Sequence, residues 1–100
     1  MSNGVKMVFI MYNIAINGEV MQILKDMEIE YYTRWDRATG CGKTSGLHLG
    51  NHIWPPVNSV LAIAVEDKKK DELIKQIKEL RKKLGKEGIK AFVLPINEIT

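Results

Sequence analysis

The chain has 100 residues, 45% of them hydrophobic and 27% charged, with a net charge of +3, which gives one folded domain and excludes an intrinsically disordered chain. The excess charge is mostly lysine on one predicted helix and only three arginines occur, which argues against a surface that tracks nucleic-acid phosphates. No run of about eighteen apolar residues is present, so no segment is expected to cross a membrane, and the single cysteine can form no internal disulfide, which fits a reducing cytoplasm.

Taken in chain order, Val5 to Ile16 reads as a strand that is apolar on both faces: Met7, Phe9 and Met11 alternate with Val8, Ile10, Tyr12 and Ile14. The N-terminal segment has no charged region or small-residue cleavage site, so it is a first strand and not a signal peptide. Asn17 offers a helix N-cap with Glu19 in the first turn, and Val20, Ile23, Leu24 and Met27 follow at helical spacing. From Glu28 to Thr39, Ile29, Tyr31, Thr33 and Trp35 alternate with Glu30, Tyr32, Arg34 and Asp36, which predicts a second strand.

Ser59 to Val65 is a third strand, again apolar on both faces. Asp67 or Asp71 caps a second helix, whose buried stripe is Leu73, Ile74, Ile77, Leu80 and Leu84. Lys75, Lys78, Lys82, Lys83 and Lys86 lie outside that stripe, and Gly85 and Gly88 supply the stop. Ala91 to Ile96 is the last strand, and Pro95 places it at a sheet edge or a strand end.

The order β-α-β-β-α-β predicts an α+β, ferredoxin-like sandwich over residues 1–100: an antiparallel sheet with the first and third strands central and both helices on one face. The other face of such a sheet is wet and polar in a monomer. Here both central strands are apolar on both sides. At roughly 25 cal/mol per Å² of apolar surface, exposure of that face is costly, so other copies of the chain are expected to bury it.

Between the second and third strands lies Ala38 to Asn58, ATGCGKTSGLHLGNHIWPPVN, which contains the only cysteine, both histidines and Trp54. A connection of this length in a compact domain either binds something or is flexible. GCGKTSG, Gly40 to Gly46, suggests a phosphate loop, but a Walker A motif needs glycine where Arg37 stands and a helix after the lysine. Converging backbone N–H groups near Lys43 suit an anion, with a solvated loop as the alternative. Cys41, His48 and His52 are metal-ligand types, although Gly50 weakens the pairing of the histidines and loop packing against Trp54 is the alternative. Cys41 between glycines carries no signature of a catalytic thiol. Trp54-Pro55-Pro56 fixes how the loop rejoins the sheet, or lets Trp54 cap a ligand or a subunit cleft.

With the strand order, three segments complete a family pattern: GCGKTSG where the loop leaves the second strand, SVLAIAVED for the third strand and its acidic exit, and GIKAFVLPINEI for a turn and the last strand. Together they resemble the PII signal-transduction family (nitrogen regulatory protein PII). The resemblance implies homotrimers formed through the helix-free sheet faces. It also implies small effectors, often ATP or ADP, in clefts between subunits, and a T-loop that docks on a partner protein. By that resemblance Gly42 matches a loop glycine near the nucleotide and Lys90 a phosphate-contacting lysine.

The departures are specific. Thr44 replaces the usual glutamine, Asn58 a lysine, Ala62 a glutamate and Ile89 a glycine. No arginine follows the last strand, and no tyrosine lies between Gly40 and Asn58. Charge-assisted contacts to phosphate are worth about 1.5–3 kcal/mol each, so standard ATP binding is expected to be weak.

The expectation is a cytoplasmic, trimeric PII-like sensor without catalytic activity. An adenine nucleotide or another small anion would meet Gly40, Gly42, Lys43, Thr44 and Lys90, and the 40–56 loop would signal to a partner protein. The alternative is a metal-binding trimer resembling the CutA type, using Cys41, His48 and His52.

Overall fold

The computed structural model describes residues 4–39, 58–84 and 88–100. The chain runs through β1 (Val5–Asn13), a single 3-10 turn (Ile14–Ile16), α1 (Asn17–Asp26), β2 (Thr33–Ala38), β3 (Asn58–Glu66), α2 (Asp67–Leu84) and β4 (Ile89–Pro95). The strands form one antiparallel sheet in the order β2-β3-β1-β4, so β1 and β3 are central as expected.

Alternation divides the sheet into two faces. Val8, Ile10 and Tyr12 of β1 and Ser59, Leu61, Ile63 and Val65 of β3 are buried. They join Val20 and Leu24 of α1 and Leu73, Ile77 and Leu80 of α2 in the core. The helical stripes read from spacing are therefore the ones that pack, with Ile23, Met27, Ile74 and Leu84 partly buried at the margin. The opposite face carries Met7, Phe9 and Met11, which pair across the ladders with Ala64, Ala62 and Val60 on one side and Leu94, Phe92 and Lys90 on the other. Trp35 pairs with Val60 on the same side. No helix covers this face: Trp35 is 50% exposed, Phe92 48%, Leu94 44% and Met11 41%.

β3 gains one residue at each end and β4 runs two residues earlier at its start and one at its end than the sequence expectation, and three larger differences have a local cause. β1 ends at Asn13, because the Asn13 side chain accepts a hydrogen bond from the Ala15 N–H (2.8 Å) and turns the chain into the 3-10 segment. Asn17 is not the cap of α1: it is already helical, the cap position is Ile16, and no side chain caps the helix there. The predicted second strand loses its first five residues. Glu28 takes a left-handed conformation, with φ of 57°. Its N–H bonds the Lys25 carbonyl at 3.0 Å, and the Ile29 N–H bonds the Leu24 carbonyl at 2.8 Å. These two bonds are a Schellman cap, and Ile29 is buried in the same core as Leu24.

A glutamate in the left-handed region strains the backbone by about 1–2 kcal/mol, which glycine relieves at some cost in unfolded-chain entropy. Glu28→Gly is expected to stabilise the fold by about 0.5–1 kcal/mol. The check is a denaturant midpoint, with Glu30→Gly, two residues on and outside the left-handed region, expected to move it the other way.

Candidate functional site

The antiparallel topology brings four chain ends to one end of the sheet: the close of β1 at Asn13, the close of β2 at Ala38, the start of β3 at Asn58 and the start of β4 at Ile89. Asn58 pairs with both Asn13 and Ala38. The glycine-rich segment therefore leaves and rejoins the sheet across one ladder rung. The turn into β4 lies beside this root, because the Asn13 N–H bonds the Gly88 carbonyl at 2.9 Å. Gly88 has φ of 30°, and a Cβ there would stand 3.1 Å from the Asn13 Cβ, so the close approach suits glycine. Arg81, near the end of α2, fixes the same turn through two bonds to the Ile89 carbonyl, from Nε at 3.2 Å and Nη2 at 3.0 Å.

Beneath the root lies a polar cluster on the helix-covered side of the sheet. The Tyr12 hydroxyl donates to Asn17 Oδ1 (2.5 Å), which also accepts from Arg34 Nη1 (3.3 Å). Arg34 grips Asp36 from Nε at 3.0 Å and Nη2 at 3.2 Å, and the Ser59 hydroxyl donates to the same carboxylate at 2.8 Å. Five side chains thus tie β1, α1, β2 and β3 together at the point where the loop departs. Burial holds the Tyr12 hydroxyl above its ordinary pKa, partly offset by the nearby Ser59 hydroxyl and the Arg34 charge, so it stays protonated and donates. The Ser59 hydrogen bond, and then the Arg34 guanidinium, hold the Asp36 carboxyl below the usual range.

β2 has an irregularity beside this cluster. Trp35 pairs with Val60 but Ala38 pairs with Asn58, so β2 carries one extra residue, and Arg37 has φ of 63°. The bulge keeps Arg34 and Asp36 together at the root while redirecting the strand into the loop.

Of the sequence-derived contact residues, Lys90 is described. It is exposed at the start of β4, opposite Met11 on the helix-free face. Gly40, Gly42, Lys43 and Thr44, and the metal-ligand candidates Cys41, His48 and His52, lie outside the described residues. Among the described residues no three His, Cys, Asp or Glu side chains are grouped to hold a metal, and no helix is long and apolar enough to cross a membrane. Of the departures noted in the sequence, Asn58 lies at the loop root, whereas Ala62 lies farther along β3 between Phe9 and Thr33 on the helix-free face. The Tyr12–Asn17–Arg34–Asp36–Ser59 cluster and the Arg81 clamp were not legible as a site. The alternation did place Tyr12 on one face, but no sequence signal aligns residues from four elements.

The comparisons agree with this fold. Residues 5–100 match the family model described as "Nitrogen regulatory protein P-II". No curated protein matches the sequence significantly. Among solved structures the chain is similar to CPII from Thiomonas intermedia K12 bound to ADP, AMP and acetate, with a TM-score of 0.73 and 15% identity over 92% of this chain and 85% of that one. It is similar to Arabidopsis thaliana PII bound to citrate, with a TM-score of 0.68 and 19% identity over 93% and 78% of the two chains. A DUF3240 family protein from Shewanella baltica OS155 gives a TM-score of 0.72 at 11% identity over 100% and 97%. At these identities the structural likenesses concern the fold.

Proposed function

The chain belongs to the nitrogen regulatory protein P-II family, and from that premise we propose that it is a non-catalytic, cytoplasmic regulatory trimer that binds a small anionic effector between subunits and signals to a partner protein through the 40–56 loop. Members of this family oligomerise and bind effectors and partners, and are generally signalling proteins and not enzymes. One observation carries the reading: Ala38 and Asn58, which flank the glycine-rich segment, the Gly88 turn and Lys90 lie at one end of a sheet whose helix-free face is apolar and exposed. A second copy packed on that face would bring its own groups close to the loop root, making a cleft that neither copy has alone.

Effector chemistry follows from the charges. Lys43 and Lys90 are cations, and glycines such as Gly40 and Gly42 are the residue type whose backbone N–H groups can converge on an anion. The structural relatives include one holding adenine nucleotides with acetate and another holding citrate. With glutamine, lysine and glutamate replaced by Thr44, Asn58 and Ala62, an adenine nucleotide with fewer phosphates, or a small carboxylate or bicarbonate, suits this chain better than ATP.

The test is a thermal-shift screen of AMP, ADP, ATP, bicarbonate, citrate and divalent metals. A ligand present at about 100 times its Kd stabilises the folded state by about 2.7 kcal/mol, and Lys90→Ala should reduce the shift for phosphate-bearing ligands. If no anion moves the melting temperature, or Lys90→Ala leaves every shift intact, the effector reading fails. A shift with zinc or copper alone, lost in His52→Ala, would favour the metal-binding alternative.

A further inference from the structure

Lys90 follows a peptide group that is held at both ends. The Asn13 N–H bonds the Gly88 carbonyl at 2.9 Å, so these two residues are a bonded pair that continues the β1–β4 ladder. Bonded and non-bonded pairs alternate along an antiparallel ladder. Tyr12 and Ile89 are therefore a non-bonded pair, and the Ile89 carbonyl points away from β1. Met11 and Lys90 are the next bonded pair, which ties the Lys90 N–H to β1. Ile89 is buried, so its carbonyl needs a partner of its own. Arg81 supplies it, from Nε at 3.2 Å and Nη2 at 3.0 Å. Because Arg81 lies in the last turn of α2, this contact joins the helix directly to the first residue of β4.

We propose that Arg81 is a positioning residue for the anion site: by holding the Ile89 carbonyl it fixes the peptide from which the Lys90 side chain springs, and so sets where the Lys90 ammonium meets a phosphate. This rests on the effector reading above and adds a residue to it. Lys90 is the second residue of β4 and is exposed. Its stem is long and flexible, so the ammonium is only as well placed as the backbone beneath it. Successive side chains of a strand point to opposite faces. Ile89 enters the core and Lys90 stands on the helix-free face, so a shift of the first rung of β4 moves Lys90 away from the loop root. The guanidinium suits the task because it offers two N–H groups in one plane, which an ammonium cannot. Lys83, in the same turn of α2, carries the same charge and makes no bond to β4 among the described residues. The clamp needs no uncovered edge. In the trimer proposed above the β2 edge of the next copy lies against β4, and it meets an Ile89 carbonyl already taken by Arg81.

The test is isothermal titration of the intact protein with ADP. Arg81→Met keeps an unbranched stem and removes the donors, and it should weaken ADP binding about tenfold, the scale of one charge-assisted contact. Arg81→Lys keeps the charge and a donor and should recover part of that loss. Lys83→Met removes the same charge from the same turn and should leave the affinity unchanged. The deciding readout is coupling: in a Lys90→Ala background, Arg81→Met should cause no further weakening. A role in stability alone would lower the melting temperature and leave the ADP affinity of the folded protein untouched. An affinity unchanged by Arg81→Met overturns the proposal. So does equal weakening with and without Lys90, or weakening by Lys83→Met to the same extent. If Arg81→Met does not fold by circular dichroism, Arg81→Lys decides through the same cycle: an affinity that is unchanged, or a loss that persists without Lys90, rejects the clamp. No binding of ADP to the wild type also overturns the proposal, and the effector reading then rests on the other anions of the thermal-shift screen. Binding that Lys90→Ala weakens and Arg81→Met does not would keep that reading and reject this one.

Discussion

Phe92→Glu should convert the protein from an assembly of about three chains into monomers of 11.4 kDa that remain folded. Phe92 lies on the helix-free face beside Phe9 and is half exposed in the single chain, so a carboxylate there has water available and the protomer's core is untouched. In an assembly built on that face the same carboxylate would lose its water without gaining a partner. An uncompensated buried charge costs about 3 kcal/mol or more, which weakens each contact by roughly a hundredfold or more. In a closed trimer that penalty recurs at every interface. Light scattering coupled to size exclusion measures the mass directly, and circular dichroism reports whether the fold survives. Lys83→Gln, exposed on α2, changes charge by the same amount and should leave the mass unchanged. A wild type that is already monomeric at micromolar concentration would end the intersubunit-cleft mechanism.

That expectation rests on what was most legible in the sequence. Apolar residues on both alternating faces of Val5 to Ile16 and Ser59 to Val65 identified both central strands, observed at Val5–Asn13 and Asn58–Glu66, and implied that the helix-free side needs a cover. The α2 stripe was equally plain, since Leu73, Ile77 and Leu80 recur at the helical period and are all buried. Local backbone chemistry was not legible. Ile29 alternates with its neighbours like a strand residue, yet it is held as the hydrophobic end of a helix cap by a left-handed Glu28. A glycine at that position would have announced the stop; a glutamate does not. Asn17 looked like a cap because its residue type favours one, but the 3-10 turn before it frees its side chain for Tyr12 and Arg34. The polar cluster escaped for a related reason. Alternation assigns a side chain to a face, and only the register between strands tells whether Ser59 meets Asp36.

Removing the Ser59 hydroxyl should destabilise the fold at neutral pH and lose its effect in acid. Ser59 is fully buried, and its hydroxyl donates to the Asp36 carboxylate that also pairs with Arg34. Ser59→Ala removes that bond and leaves the carboxylate to Arg34 and water, so the variant should melt at a lower temperature than the wild type at neutral pH. The pH dependence has a definite sign. The folded state holds the Asp36 carboxyl below 3.8, its ordinary value, chiefly through Ser59 and then Arg34. The stabilisation is therefore fully present above 3.8 and is lost as the pH falls through the lower, folded-state value. Melting temperatures followed from neutral pH downward should show wild type and Ser59→Ala converging in acid, with Asp36→Asn flattening the same limb. In a double-mutant cycle the Ser59→Ala and Asp36→Asn effects should fall well short of additive, because both remove the same bond. Strictly additive effects, or a wild-type–variant gap independent of pH, would mean that the cluster is not held by this carboxylate. The consequence reaches beyond stability. Ser59 follows Asn58, where the chain rejoins the sheet, and Asp36 lies two residues before Ala38, where β2 ends. A bond that joins these two residues sets the distance between the two ends of the glycine-rich segment. Loosening it should weaken effector binding at neutral pH even though neither residue is expected to touch the effector, and the Ser59→Ala loss should be larger for ligands that need the loop than for any ligand held by Lys90 alone.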